Sequence, residues 1–257
     1  MCNICVMSFY ENVKNFRLEI VKTLFFIREY FFPTGCALCS RGLVSLSETW
    51  YGLCEPCHAG IAAEPGKNCD LCGRPLVSEQ SRCLSCRNTG ERSYDRVTVL
   101  FPYTGKYRRL LAAYKFGRNI AVGNYFSDKI LKIIGSCAAA PENAVIVPVP
   151  PRPGKIKQKG WDQIEFLTRL LERGGKAFPI IKICRCLERL RSGVQKELGR
   201  DDRMRNLKGR IIPKGKTPKT ALLIDDVMTT GATLDVCAEA LKKGGTEKVY
   251  CLCLFYD

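Results

Sequence analysis

Histidine is almost absent: one residue, His58, in 257. A single imidazole excludes multi-histidine metal centres and HExxH metalloproteases. A Ser–His–Asp triad would have to be built on His58, which lies inside a cysteine cluster. There is no GxxxxGK[ST] element, which argues against a P-loop nucleotidase. No apolar run reaches the length that spans a bilayer. The opening residues, MCNICVMSFY, lack the basic start of a secretory signal, so the expected location is cytoplasmic. Acidic residues are outnumbered, 25 Asp and Glu against 41 Lys and Arg, for a formal net charge of +16. That balance favours anionic partners: polyphosphates, nucleic acid or an anionic membrane surface.

Cysteine, by contrast, is abundant, with sixteen residues. Eight of them form four CxxC pairs: Cys36 and Cys39, Cys54 and Cys57, Cys69 and Cys72, Cys83 and Cys86. A CxxC turn presents two thiolates to one ion, and two such turns complete a tetrahedron. Two structural Zn²⁺ ions are therefore expected. Sequential pairing is the simplest arrangement, and a cross-brace of first with third and second with fourth satisfies the same spacing. A site closed by four sulfurs has no open position, so no catalysis is assigned to it. The metal would replace a core too small to hold some fifty residues, or shape a surface that touches nucleic acid or protein. The remaining cysteines, such as Cys237, Cys251 and Cys253, mostly sit in apolar surroundings and read as reduced core residues.

Three regions follow: an amphipathic N-terminal helix within residues 1–32, a cysteine module over 33–90 and an α/β domain over 91–257. The helix, over 8–32, ends at Pro33 and either docks on the protein or touches a membrane surface or a partner. In the α/β domain, strands are expected at 97–101, 145–149, 178–183, 221–224 and 248–255. Helices are expected at 107–116, 122–134, 163–172 and 234–242. Such alternation predicts a parallel sheet flanked by helices, with ligands at the carboxyl ends of the strands.

The most informative stretch is ALLIDDVMTTGATL, residues 221–234. It reads as a buried strand, an acidic turn, a small-residue loop and a helix start. Asp225 and Asp226 can accept hydrogen bonds from two neighbouring ribose hydroxyls. Met228, Thr229, Thr230, Gly231, Ala232 and Thr233 would set backbone amides, hydroxyls and a helix N-terminus around a phosphate. A second constellation, PPRPGKIKQKGWDQ, brings Arg152 and Lys155 close to the predicted strand end at 149, where they could clamp a pyrophosphate. A third, LERLRSGVQKELGRDDRMRN over 187–206, carries Arg191 and Arg203 and reads as a basic lid.

The 221–234 string resembles the phosphoribosyl-diphosphate (PRPP) motif of type I phosphoribosyltransferases. The resemblance implies that the two acids bind the ribose hydroxyls and that the loop binds the 5′-phosphate. VPVPPRPGKIKQKGWDQIEFL and ERLRSGVQKELGRDDRMRNL resemble two stretches of ComF-type proteins, which also carry an N-terminal double zinc ribbon. Arg152 stands where many members have His, Asp162 where Asn is usual, and Lys196-Glu197 replace a more usual Thr-Gly. The resemblance implies a type I phosphoribosyltransferase-like sheet behind a Cys₄ double zinc ribbon. It further implies PRPP or a phosphoribosyl nucleotide as ligand, Mg²⁺ bound with PRPP, and a link to natural competence through single-stranded DNA or a DNA-uptake protein. Whether the domain transfers the phosphoribosyl group, senses PRPP or handles nucleic acid stays open, as does the acceptor.

Overall fold

The computed structural model describes residues 31, 34–61, 68–76, 81–87, 92–174, 181–191 and 209–257. The expected N-terminal helix lies outside the described residues except for Phe31, and so does Arg203. The chain divides into two compact units, Met1–Ile61 and Ala62–Asp257.

In the first unit, helices α1 (Leu46–Tyr51) and α2 (Glu55–Ala59) surround the first cysteine tetrad. Ser45 caps α1 by accepting from the Glu48 N–H. Glu48 is buried, and its carboxylate accepts the Val44 N–H at 2.7 Å and the Glu55 N–H at 2.8 Å. These bonds hold the carboxyl below the ordinary range and tie the entry of α1 to the start of α2.

The second unit opens with the short α3 (Leu84–Arg87). Then come β1 (Arg96–Pro102), α4 (Gly105–Lys115), α5 (Ile120–Gly135), β2 (Val145–Pro148), α6 (Lys155–Lys159) and α7 (Gln163–Gly174). A two-stranded ribbon of β3 (Leu187–Arg189) and β4 (Ile211–Pro213) precedes β5 (Thr220–Met228), α8 (Ala232–Lys243) and β6 (Lys248–Tyr256). The main sheet has the order β1-β6-β5-β2, and every pairing in it is parallel. This is the expected architecture. The central strands β5 and β6 read as near-continuous apolar runs because both of their faces are covered. Leu222, Ile224 and Phe255 lie under α4, α5 and α7, where Tyr114, Tyr125 and Phe126 complete an aromatic core. Leu223, Cys251 and Cys253 face the opposite way, toward Leu234, Cys237 and Leu241 of α8.

Three local expectations change. The strand at 178–183 lies partly outside the described residues, and what is described is a single parallel bridge from Ile183 to Ile146. The basic segment at 187–206 begins as strand β3, paired with β4, and its residues 192–206 lie outside the described residues. The acidic turn is no turn: Asp225 and Asp226 are strand residues, because β6 continues to pair past them through Asp225 with Cys253 and Val227 with Phe255.

Candidate functional site

The cysteines assemble in sequence order. Cys36, Cys39, Cys54 and Cys57 form one group, Cys69, Cys72, Cys83 and Cys86 the other, each with its ligand atoms within 4.8 Å of one another. The cross-brace alternative is thereby removed. A tetrahedron with Zn–S bonds of about 2.3 Å has edges of roughly 3.8 Å. The Cys39–Cys54 and Cys72–Cys83 sulfurs stand 3.6 and 3.7 Å apart. The Leu38 N–H reaches Cys36 Sγ, and the Cys83 N–H reaches Cys69 Sγ. Burial opposes ionisation of Cys36 and Cys69, but N–H donors outweigh it and bring both thiols down to about 7. Donor type, spacing and the backbone amides that reach the sulfurs all fit Zn²⁺. Metal analysis of protein prepared without chelator is expected to return two Zn²⁺ per chain. A value under one would contradict the two-site assignment.

The acid pair owes its setting to sheet topology. Strand β2 ends at Pro148, one residue before Val149 makes a last bond to the Ile224 carbonyl, and the chain then leaves through Pro150 and Pro151. Beyond that point β5 has an open edge, so its alternating side chains serve one cleft from both faces. The cleft has a volume of about 470 Å³ and is lined by Asp225, Asp226, Arg152, Lys155, Arg189 and Thr233, among others. Asp226 is buried and accepts from Lys115 Nζ at 2.5 Å and from Gln163 Nε2 at 2.8 Å. Burial disfavours its charge, but Lys115, Gln163 and the Val227 N–H win and hold its carboxyl below the ordinary range. Asp225 keeps some solvent contact, yet its carboxyl is enclosed. Burial, and then the neighbouring charge of Asp226, push it well above the ordinary range. One acid is thus favoured in its ionised form and fixed, while the other is pushed toward its protonated form.

Past β5 the chain turns through residues 229–231. Gly231 caps α8 with φ of +75°, a left-handed conformation that favours glycine. A Cβ there would lie 2.9 Å from Met228 Cε and 3.0 Å from Tyr94 Oη, so the backbone itself lies close against both. Thr229 and Thr230 are exposed. The Ala232 N–H is engaged by Thr230 Oγ1 at 3.4 Å. The N–H groups of Thr229, Thr230, Gly231 and Thr233 have no partner among the described residues. They stand beside the α8 N-terminus, where donors of this kind suit an anion, and Thr233 among them lines the cleft. Met228 differs from the other loop residues. Its side chain is buried in the core and its carbonyl accepts the Asp257 N–H, so it supports the loop from below.

The opposite wall is cationic. Lys155 Nζ donates to Asp162 and to Gln163 Oε1, both at 2.6 Å. Arg152 and Arg189 line the cleft and also a second cavity of about 520 Å³, whose wall includes Arg191 and Arg210 and, among the described residues, no carboxylate. Burial, and next the Arg152 guanidinium, hold Arg189 below its ordinary pKa. Such crowding of like charge suits a bound polyanion.

Four cleft residues escaped the sequence reading as site residues: Lys115, Asp162, Gln163 and Arg189. Asp162 and Gln163 lie inside the quoted WDQ stretch, next to Lys155 in space, and could have been weighed there. Lys115 sits in the last turn of an ordinary amphipathic helix and carries no local signal, whereas Arg189, on a three-residue strand, belongs to the basic stretch over 187–206.

Residues 187–257 match the model of the phosphoribosyl transferase domain. The resemblance to ComF-type proteins extends over most of the chain. It is 26% identical to Competence protein F of Haemophilus influenzae over 227 residues, 85% of this chain and 95% of that protein. It is 25% identical to Competence protein ComFC of Bacillus subtilis over 227 residues, 82% of this chain and 89% of that one. The DNA utilization protein YhgH of Salmonella typhimurium is 25% identical over 232 residues, covering 86% of this chain and 97% of its own length.

Proposed function

We propose that the cleft binds PRPP and that this ComF-type chain transfers or recognises a 5-phosphoribosyl group. The observation that carries the reading is the pairing of two acids at an open strand edge with a loop, on the same strand's continuation, whose amides have no partner among the described residues. In this reading the ribose hydroxyls donate to Asp225 and Asp226, and the 229–233 loop holds the 5′-phosphate. Arg152, Lys155 and Arg189 hold the pyrophosphate. If an acceptor is present, the bond from C1 to the pyrophosphate oxygen breaks, a bond from the acceptor to C1 forms, and the pyrophosphate leaves with the electron pair. The protein's work is to position the sugar and to stabilise the departing anion, for which it needs no nucleophile and no histidine. Lys115 and Gln163 keep Asp226 charged and oriented. The carboxylates offer hard oxygen ligands of the kind Mg²⁺ takes, and that ion, when bound, would neutralise part of the diphosphate charge.

Calorimetry with PRPP and Mg²⁺ is the primary test, and absence of binding would remove the reading. Arg189→Gln is expected to weaken PRPP by about tenfold, through a lost charge-assisted bond. It should leave ribose 5-phosphate affinity within about twofold. Equal loss for both ligands would take Arg189 out of the pyrophosphate half. Pyrophosphate release with a panel of bases and amines separates a transferase from a sensor.

The arginine-lined second cavity, the net charge of +16 and the names of the relatives support a further reading, contact with single-stranded nucleic acid during competence. Backbone contacts of that kind weaken steeply with salt, so a salt titration of oligonucleotide binding tests it. A cytoplasmic site of action fits the free thiols, and no described helix is long and apolar enough to cross a membrane.

A further inference from the structure

The second cysteine tetrad and the 229–231 loop share one short connector, residues 92–97. On one side the connector is bonded to the metal knuckle. Tyr94 Oη donates to the Leu71 carbonyl, between Cys69 and Cys72, at 2.5 Å. The Val97 N–H donates to the Asp70 carbonyl at 2.7 Å. Gly73, with φ of +69°, seats the same turn on β1, where a Cβ would meet Val99 Cγ2 at 2.3 Å.

On the other side the connector is bonded to the loop. The Tyr94 hydroxyl lies 3.0 Å from where a Gly231 Cβ would stand. Arg92 Nη2 donates to the Thr230 carbonyl at 3.2 Å, and Arg92 Nη1 pairs with Asp235 at 3.7 Å. Asp235, in the first turn of α8, accepts the Ser93 N–H at 2.7 Å. Tyr94 is buried, which keeps its phenol protonated and donating.

Cys69, Leu71, Tyr94, Met228 and Leu234 all belong to one core cluster. A Cys₄ knuckle holds its turn only while the four sulfurs share a cation, because bare thiolates repel one another. The Leu71 carbonyl is part of that turn, so its position depends on the metal.

Resting on the assignment of residues 229–233 to the 5′-phosphate, we infer that the Cys69–Cys72–Cys83–Cys86 site is a positioning device for the phosphate loop, with Tyr94 and Arg92 as its connecting residues. Metal at the tetrad and phosphoryl ligand at the loop are then thermodynamically linked, and each strengthens the other by the same factor.

The test uses the full zinc-loaded chain, a colorimetric zinc chelator and PRPP. Saturating PRPP is expected to slow release of one of the two Zn²⁺ ions by about fivefold or more. Tyr94→Phe and Arg92→Ala should each retain two Zn²⁺, weaken PRPP by about three- to tenfold and abolish the protection. Two results would overturn the inference. One is a wild-type chain that binds PRPP but releases both ions at unchanged rates. The other is a pair of variants with wild-type affinity and full protection. If Tyr94→Phe does not fold, Arg92→Ala and the wild-type release rates decide. A wild-type chain that binds no PRPP in calorimetry is a separate outcome. It overturns the assignment of the loop to phosphate, and the linkage with it.

Discussion

Asp225→Asn combined with Asp226→Asn is expected to weaken PRPP by more than about 100-fold, since each acid supplies charge-assisted acceptors worth about 1.5–3 kcal/mol. Calorimetry measures it, and undiminished binding would take both acids out of the site. The single variants should differ, because the two carboxyls start in different states. Asp226 is already ionised, held by Lys115 and Gln163. Asp225 is biased toward keeping its proton, its pKa raised well above the ordinary carboxylate range by burial and by Asp226. To accept a ribose hydroxyl beside a cation it must lose that proton, so binding releases a proton and affinity rises with pH. Below the raised pKa the dependence approaches tenfold per pH unit, and above it the curve flattens. Asp225→Asn should remove that slope.

Stability runs the other way. The folded pKa of Asp225 lies above the unfolded value of 3.8, so folding takes up a proton. The stabilisation by the protonated acid is complete below the unfolded pKa and is lost as pH rises through the folded one. At neutral pH, Asp225→Asn is therefore expected to raise Tm while it costs affinity. A fall in Tm would contradict the enclosure of the Asp225 carboxyl.

Cys69→Ser is expected to remove one Zn²⁺ per chain and to lower unfolding free energy by more than about 3 kcal/mol. Cys69 is fully buried in the core cluster with Tyr94, Val97 and Val99, so this tetrad is part of the α/β unit's hydrophobic interior. Losing the metal there leaves thiols raised by burial, such as Cys72, unshared in apolar surroundings and loosens the turn that Gly73 seats on β1. Thermal unfolding with parallel metal analysis measures both quantities. An unchanged Tm with one Zn²⁺ lost would reduce the second tetrad to a surface attachment.

The readable features were those whose chemistry is contiguous in the chain. A CxxC pair is set by one turn, and the run from Ala221 to Leu234 carries strand, acids, loop and helix start in fourteen letters. Their types, and the parallel α/β class, follow from local spacing and apolar periodicity. Lys115 and Gln163 reach Asp226 from two elements and Arg189 lines the same cleft from a third, all separated by intervening chain, and no local pattern records such a meeting.

The amino-acid order by itself determined the candidate groups: four CxxC thiol pairs, a carboxylate doublet, and a glycine where the backbone must turn left-handed. Only the tertiary structure decided how they work. Termination of β2 at Pro148 beside a longer β5 placed both acids along one open edge, and unequal surroundings push the pKa values of two identical side chains in opposite directions. The reason is physical. Ionisation and ligand geometry depend on distances between groups far apart in sequence, and those distances exist only once the sheet has formed.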